Sequence, residues 1–205
     1  MRKMIMLNGP PRCGKDTITL ELMKRFNATD GQNDYVYPFE AHHEKFSQPL
    51  KDGVKSIYGL PASIEETKDE SDERLLGATY RGAQIALFNH LSRSHGNTVL
   101  GQLFSARTVR RDGVFIVSDT GRFDEVFPAI KNFDADSCVV FRIHRDGTSF
   151  ANDIRQYVSN TDIIGVKSFD VDNNGSVEAV VLTIIDVLTD LWGAPSKWNL
   201  SPNNR

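Results

Sequence analysis

Cysteine is scarce in this chain: two residues among 205, Cys13 and Cys138. That is too few for a disulfide scaffold and predicts free thiols in a reducing compartment. Long apolar runs are also missing. No stretch approaches the roughly 20 residues of a membrane-spanning helix. The apolar opening breaks at Asn8 and Gly9, too early for a secretory signal core. Nor is there an excess of positive charge. Lys and Arg number 24 against 27 Asp and Glu, a formal net charge of -3, which argues against nucleic acid as the main partner. No internal repeat or long low-complexity segment is visible. These absences predict a soluble, cytoplasmic protein with no membrane and no nucleic-acid partner. With 40% hydrophobic and 25% charged residues, the chain reads as ordinary globular material, long enough for one domain with a sizeable core.

What the sequence does have is concentrated near its start. An apolar run, Lys3 to Leu7, leads through Asn8 into Gly9-Pro-Pro-Arg-Cys-Gly14-Lys15-Asp16-Thr17. This is the G-x-x-x-x-G-K spacing of a phosphate-binding loop. A strand feeding a tight loop turns successive backbone N–H groups inward, and the helix that follows adds the positive end of its dipole. Lys15 supplies a full charge for terminal phosphates. Gly9, Arg12, Cys13, Gly14, Lys15, Asp16 and Thr17 are therefore the expected nucleotide cradle. Ile18, Leu20, Leu22, Met23 and Phe26 give the next segment an amphipathic helical face, and the polar stretch Asn27 to Asn33 ends it. The motif usually places Ser or Thr directly after the lysine, as a magnesium ligand. Asp16 stands there instead. It could hold magnesium directly or through water, or act on the substrate, while Thr17 could donate to a phosphate.

Further along, part of Tyr35 to Phe46 reads as a second strand. His42-His43 lacks other residues at metal-ligand spacing and reads as a half-buried or exposed pair. Ser47 and Pro49 mark a helix start, with Ser47 as cap. Lys51, just inside, is a candidate phosphate contact, the alternative being a solvated surface lysine. The acidic stretch within 62–78 predicts a mobile surface excursion. Helices are predicted from Thr79-Tyr-Arg81 to Gly96 and from Thr98 to Arg111, with Arg107, Arg110 and Arg111 complementing the dipole of the second. Gly113 to Val117 is a buried-type strand that ends in Ser118-Asp119, a common way to present a carboxylate to magnesium. Arg122 follows at the same strand end, where ligands of open α/β sheets sit. Cys138 to Ile143 is the next strand. A loop with Arg145 and a predicted helix over 149–158 with Arg155 suit a lid (about 145–160) over phosphates. Val166 to Val171 reads as the last strand and Ser176 to Trp192 as the last helix; 193–205 reads as a flexible tail. The element order implies a three-layer α/β/α domain over 1–192, with a mainly parallel sheet and a small helical lid and substrate region.

Several of these pieces together resemble the bacteriophage deoxynucleoside monophosphate kinases, a branch of the P-loop nucleotide kinases. They are the Gly9 to Thr17 loop with its unusual Asp16, Phe46-Ser-Gln-Pro-Leu-Lys51 with Tyr58-Gly-Leu-Pro61, Thr79-Tyr-Arg81, Ser118-Asp-Thr-Gly-Arg122 with Glu125, and Arg145-Asp-Gly. The match covers most of the chain in order, departing from the family pattern at Tyr80 and Arg122. The resemblance implies the P-loop NTPase fold and transfer of the ATP γ-phosphoryl group to a deoxynucleoside monophosphate, in the host cytoplasm if phage-encoded. It implies ATP and Mg2+ as donor and cofactor. Lys15, Asp16, Arg145 and Arg155 become the expected catalytic residues. Lys51, Arg81, Asp119 and Arg122 become the expected acceptor site, and Asp16 and Asp119 the expected magnesium carboxylates. It also allows a homodimer. The competing readings are another P-loop kinase of the dephospho-coenzyme A kinase type and a nucleotide-binding protein without transfer activity.

Overall fold

A computed structural model describes residues 2–27, 40–151, 153–158 and 165–193. Most of the expected turn (28–33), the 35–39 part of the stretch expected to hold a second strand, part of the lid (152, 159 and 160), residues 161–164 and the tail from 194 lie outside the described residues.

Five strands form one sheet: β1 (Arg2–Asn8), β2 (Ala41–Glu44), β3 (Gly113–Thr120), β4 (Cys138–His144) and β5 (Lys167–Asp172). Their spatial order is β2-β3-β1-β4-β5, and every pairing is parallel. Apolar residues fill these strands because both faces are covered. Side chains alternate across the pleat. Met4 and Met6 therefore join one core and Ile5 and Leu7 the other. The Ile5 face is closed by α1 (Lys15–Phe26) and α6 (Val177–Trp192), whose Ile18, Leu22, Val181 and Ile184 are fully buried. The Met4 face is closed by α4 (Val99–Thr108) and α5 (Phe123–Ile130), through Phe104 and Val126. This is the expected three-layer arrangement, with a wholly parallel sheet among the described strands.

A smaller core lies beyond. Helices α2 (Gln48–Tyr58) and α3 (Tyr80–His95) enclose Val54 and the fully buried Tyr80 together with Ile64 and Leu75. The last two belong to 3-10 turns, Ala62–Glu65 and Glu73–Leu75, in the acidic segment. That segment is thus anchored by two apolar side chains, while its carboxylates pair with Lys51, Arg74 and Arg81.

Two local expectations fail. Described residues within 149–158 are not helical. Ser149 Oγ accepts from Ala151 N at 3.2 Å, and Asp153 Oδ1 accepts from Arg155 N at 2.9 Å. Such i,i+2 bonds compete with helical pairing. Ser47 does not cap α2 with its side chain; its hydroxyl donates to Asp119 instead.

The sheet has its switch point at β1, flanked by β3 on one side and β4 on the other. Ligands of open α/β sheets bind outside the carboxyl ends of such strands. The loops after β1, β3 and β4 all open there.

Candidate active site

The loop between β1 and α1 is held in a strained shape. Arg12 has φ 66 and Gly14 φ 97, left-handed values that suit glycine and strain an arginine. A Cβ on Gly14 would lie 2.4 Å from Asn173 Nδ2. Asn173, just past β5 and buried, donates that amide to Cys13 O at 2.6 Å. Lys15 folds back into the loop and donates to Gly9 O and Pro10 O, both at 2.7 Å. Burial pushes its ammonium below the usual lysine range, partly offset by Cys13 and Asp16. The loop thus concentrates positive charge at a helix N-terminus, as a phosphate site requires. Arg145, first past β4, also reaches it: Nη1 would lie 3.9 Å from a Cβ on Gly14.

Asp16 is engaged from one side. Its Oδ1 accepts from Ser118 Oγ at 2.9 Å and pairs with Lys45 Nζ at 2.8 Å. Ser118 has one proton and gives it to Asp16. His43 Nε2, 2.8 Å from Ser118 Oγ, must therefore carry its own proton and donate. Burial, helped by Lys45, pushes His43 below the usual histidine range. Desolvation alone would raise Asp16; the Lys45 bond and charge, with Ser118, outweigh it and hold the carboxyl low.

Asp119 plays a different part. Its Oδ1 accepts from Phe46 N at 2.8 Å, and Oδ2 from Ser47 N at 3.0 Å and Ser47 Oγ at 2.7 Å. It fastens the start of α2 to β3. Beside it, Glu125 is a buried carboxyl pushed up to about 8 by burial and by Asp119, against the pull of Arg122 and Arg155. Arg122 lies 4.8 Å from the Phe88 ring centre and 3.6 Å from Asp124. Arg155 lays its aliphatic stem across Gly121, where a Cβ would meet it at 2.7 Å. Asn8 fixes this segment. It is fully buried, donates to Thr120 O (2.9 Å) and Gln156 O (3.0 Å), and accepts from Val158 N (2.7 Å). The Arg155 guanidinium clasps Asp153, with Nε 2.9 Å from Oδ1.

On the outer side, Arg81 clasps Asp69 at 2.5 and 3.3 Å. The Arg81 charge also helps to lower Asp153, and that of Arg12 helps to lower Asp69. Lys51 is tied to Glu65 at 2.8 Å, and Lys55 to the same carboxylate at 3.1 Å. Tyr80 donates its hydroxyl to Lys51 O at 3.1 Å. Lys51 is therefore paired, as Arg81 and Arg155 are, rather than solvated. Arg107 and Arg111 do more than complement a dipole: both pair with Glu44.

For magnesium the two expected carboxylates differ. No described residue donates to Asp16 Oδ2, its side chain is 66% exposed, and Thr17 beside it is exposed. One carboxylate oxygen next to a phosphate loop fits an ion that completes its shell with phosphates and water. Asp119 has both oxygens committed to α2. Among the described residues no group of three or more His, Cys, Asp or Glu is placed to hold a metal ion, and His42 instead contacts Asp112 O at 2.9 Å.

The sequence reading gave no role to Asn8, Lys45, Gly121 or Asn173. Asn8 carried a signal: a lone amide ending an otherwise apolar strand. Asn173 lies in the stretch Asp172-Asn-Asn-Gly175, which by composition reads as a turn.

No protein-family model and no curated protein matches the chain. Solved structures do. A gluconokinase from Sinorhizobium meliloti 1021 aligns with a TM-score of 0.50 and 11% identity, covering 98% of each chain. A shikimate kinase from Acinetobacter baumannii aligns at 0.46 and 11%, covering 93% of this chain and 94% of the other. A thymidylate kinase from Candida albicans aligns at 0.41 and 10%, covering 92% and 91%. Strand order, loop and the gluconokinase alignment together place the chain in the three-layer α/β/α P-loop fold.

Proposed function

We propose that the chain is a deoxynucleoside monophosphate kinase that transfers the γ-phosphoryl group of ATP to the acceptor's 5′-phosphate, in phage nucleotide metabolism in the host cytoplasm. The observation that carries the reading is the pairing of two features at one sheet end. A lysine at a helix N-terminus is folded into the loop on the Gly9 and Pro10 carbonyls. Arg81 and Arg155 each clasp a carboxylate by two N–H groups, with the Arg155 charge acting on Lys15 and the Arg81 charge on Asp153. Arginine forks bind phosphate in that same bidentate way. One cleft thus offers a donor cradle and grips for a second phosphorylated molecule. The choice of a deoxynucleotide acceptor rests on the resemblance of Phe46 to Lys51, Thr79 to Arg81 and Ser118 to Arg122 to the phage kinases.

In this reading an acceptor phosphate oxygen attacks the γ-phosphorus. The bond from that phosphorus to the β–γ bridging oxygen breaks, and ADP leaves with the electron pair. The protein's work is positioning and charge stabilisation. Lys15 leaves the Gly9 and Pro10 carbonyls for the donor's terminal phosphates. The loop N–H groups hold the β-phosphate, and Arg145 adds charge from the β4 side. Asp16 would hold magnesium through Oδ2, and the ion when bound neutralises charge on the transferring oxygens. Arg81 and Arg122 grip the acceptor. Arg155, steered by Asn8 and Gly121, reaches between donor and acceptor. Lys51 and Asp119 shape the acceptor side by fixing α2. A homodimer is compatible with this arrangement.

The test is a coupled ADP-release assay with ATP, magnesium and a panel of deoxynucleoside and ribonucleoside monophosphates. Turnover with one or more deoxynucleotides is the expected result. ATP binding without turnover of any nucleotide would overturn the reading in favour of another acceptor or a binding role.

A further inference from the structure

Lys45 lies one residue past β2, and nothing in the sequence pattern singles it out. Its backbone is pinned on both sides. Arg107 donates to Lys45 O at 3.0 Å, and the preceding Glu44 pairs with Arg107 and Arg111. The next two backbone N–H groups, of Phe46 and Ser47, are bound to Asp119. Only the Lys45 side chain is left to move. Its side chain is 21% exposed, and its ammonium lies 2.8 Å from Asp16 Oδ1. Among the described residues no other carboxylate lies within ion-pair distance of it.

The partner is the residue directly after the loop lysine, and the one whose free oxygen fits a divalent ion. We propose that Lys45 is a second mobile lysine of the phosphoryl-transfer site, exchanged off Asp16 by the divalent cation and delivered to the phosphates. Three observations support the exchange. Asp16 Oδ1 is fixed independently by Ser118, itself held by His43, so the carboxylate keeps its orientation when the ammonium leaves. A dication next to Asp16 repels an ammonium at contact distance, and the released charge moves to the nearest anion. In a loaded site that anion is phosphate. Four flexible carbons from a fixed backbone give the ammonium the reach for such a move. The device would keep the empty cleft neutral at Asp16 and add a cation only once donor and metal are present.

The delivery half rests on the kinase reading; the exchange half does not. The experiment is a Mn2+ titration of the full chain with a non-hydrolysable ATP analogue, followed by electron paramagnetic resonance. It compares wild type with Lys45→Met, Lys45→Gln and Lys45→Arg, and thermal unfolding checks that each variant is folded. Removing the competing ammonium should tighten Mn2+ about fivefold in the Met and Gln variants, the scale of a partly exposed ion pair. Turnover at saturating magnesium should fall by about a hundredfold, the scale of one lost transition-state donor, with Lys45→Arg retaining most of it. Unchanged or weaker Mn2+ binding in the neutral variants overturns the exchange. Tighter Mn2+ with turnover within twofold of wild type overturns the delivery. If the kinase reading itself fails, wild type and variants are equally inactive on the nucleotide panel while the Mn2+ arm still reports on Lys45.

Discussion

The two halves of the cleft are built by different means. The donor loop is held by the buried bond from Asn173 to Cys13 O and by Gly14 in a conformation that other residues resist, with Lys15 docked on two carbonyls that it can leave. The acceptor side is held by ion pairs of partly exposed groups, Arg81 with Asp69 and Arg155 with Asp153. Buried bonds fix a shape in advance, whereas exposed ion pairs contribute little stability and exchange partners readily. In the proposed kinase reading the donor loop is therefore shaped in advance, and the acceptor site keeps its arginines on carboxylates that phosphates can replace.

Substitutions can break or sharpen this contrast. The largest effect is expected for Lys15→Ala, which should lower turnover about a thousandfold with thermal unfolding near wild type; near-normal turnover would remove the loop from the donor site. Gly14→Ala comes next. Its Cβ would collide with Asn173 and strain the left-handed backbone, so ATP affinity measured by calorimetry should fall by more than about tenfold, a strain of about 1–3 kcal/mol. Arg81→Ala should raise the acceptor KM about tenfold, as loss of a charged hydrogen bond does, and leave the ATP KM unchanged. A rise in the ATP KM alone would move Arg81 to the donor side.

Glu125 tests the acceptor side through pH. Its folded value, about 8, lies above the ordinary 4.5. Between those values the folded chain keeps a proton that the unfolded chain has released, so stability falls as pH rises through that window. Glu125→Gln should remove this fall, and its Tm should gain several degrees on wild type between pH 5 and pH 8. Parallel Tm profiles would show that the carboxyl is not protonated in the folded state. The smallest effect is expected for Asp69→Asn. Freeing Arg81 from an exposed pair should lower the acceptor KM by no more than about fivefold; a higher KM would show that Asp69 orients the arginine rather than occupying it.

The same contrast governs what was legible in the sequence. The donor loop is contiguous, so its spacing could be read directly, and the parallel sheet followed from buried-type strands alternating with amphipathic helices. The acceptor side could not be read in this way, because its geometry depends on partners distant in sequence. The sequence names Lys51 as a candidate phosphate contact but not Glu65 as its partner. It names Asp119 as a candidate metal carboxylate but not its bonds to the backbone of Phe46 and Ser47. The segment 149–158 had helical spacing, but its short polar side chains captured the backbone locally. Asn8 and Lys45 owe their roles to bonds spanning 150 and 29 residues, which no local pattern records.

Asn173 bonds to Cys13 across 160 residues of chain. During synthesis the phosphate loop is made 160 residues before the side chain that fastens it. Contacts of such separation are slow to form. The nascent chain therefore carries the loop motif through that interval complete in sequence but unfinished in shape. A product terminated before Asn173 would carry the motif without this fastening.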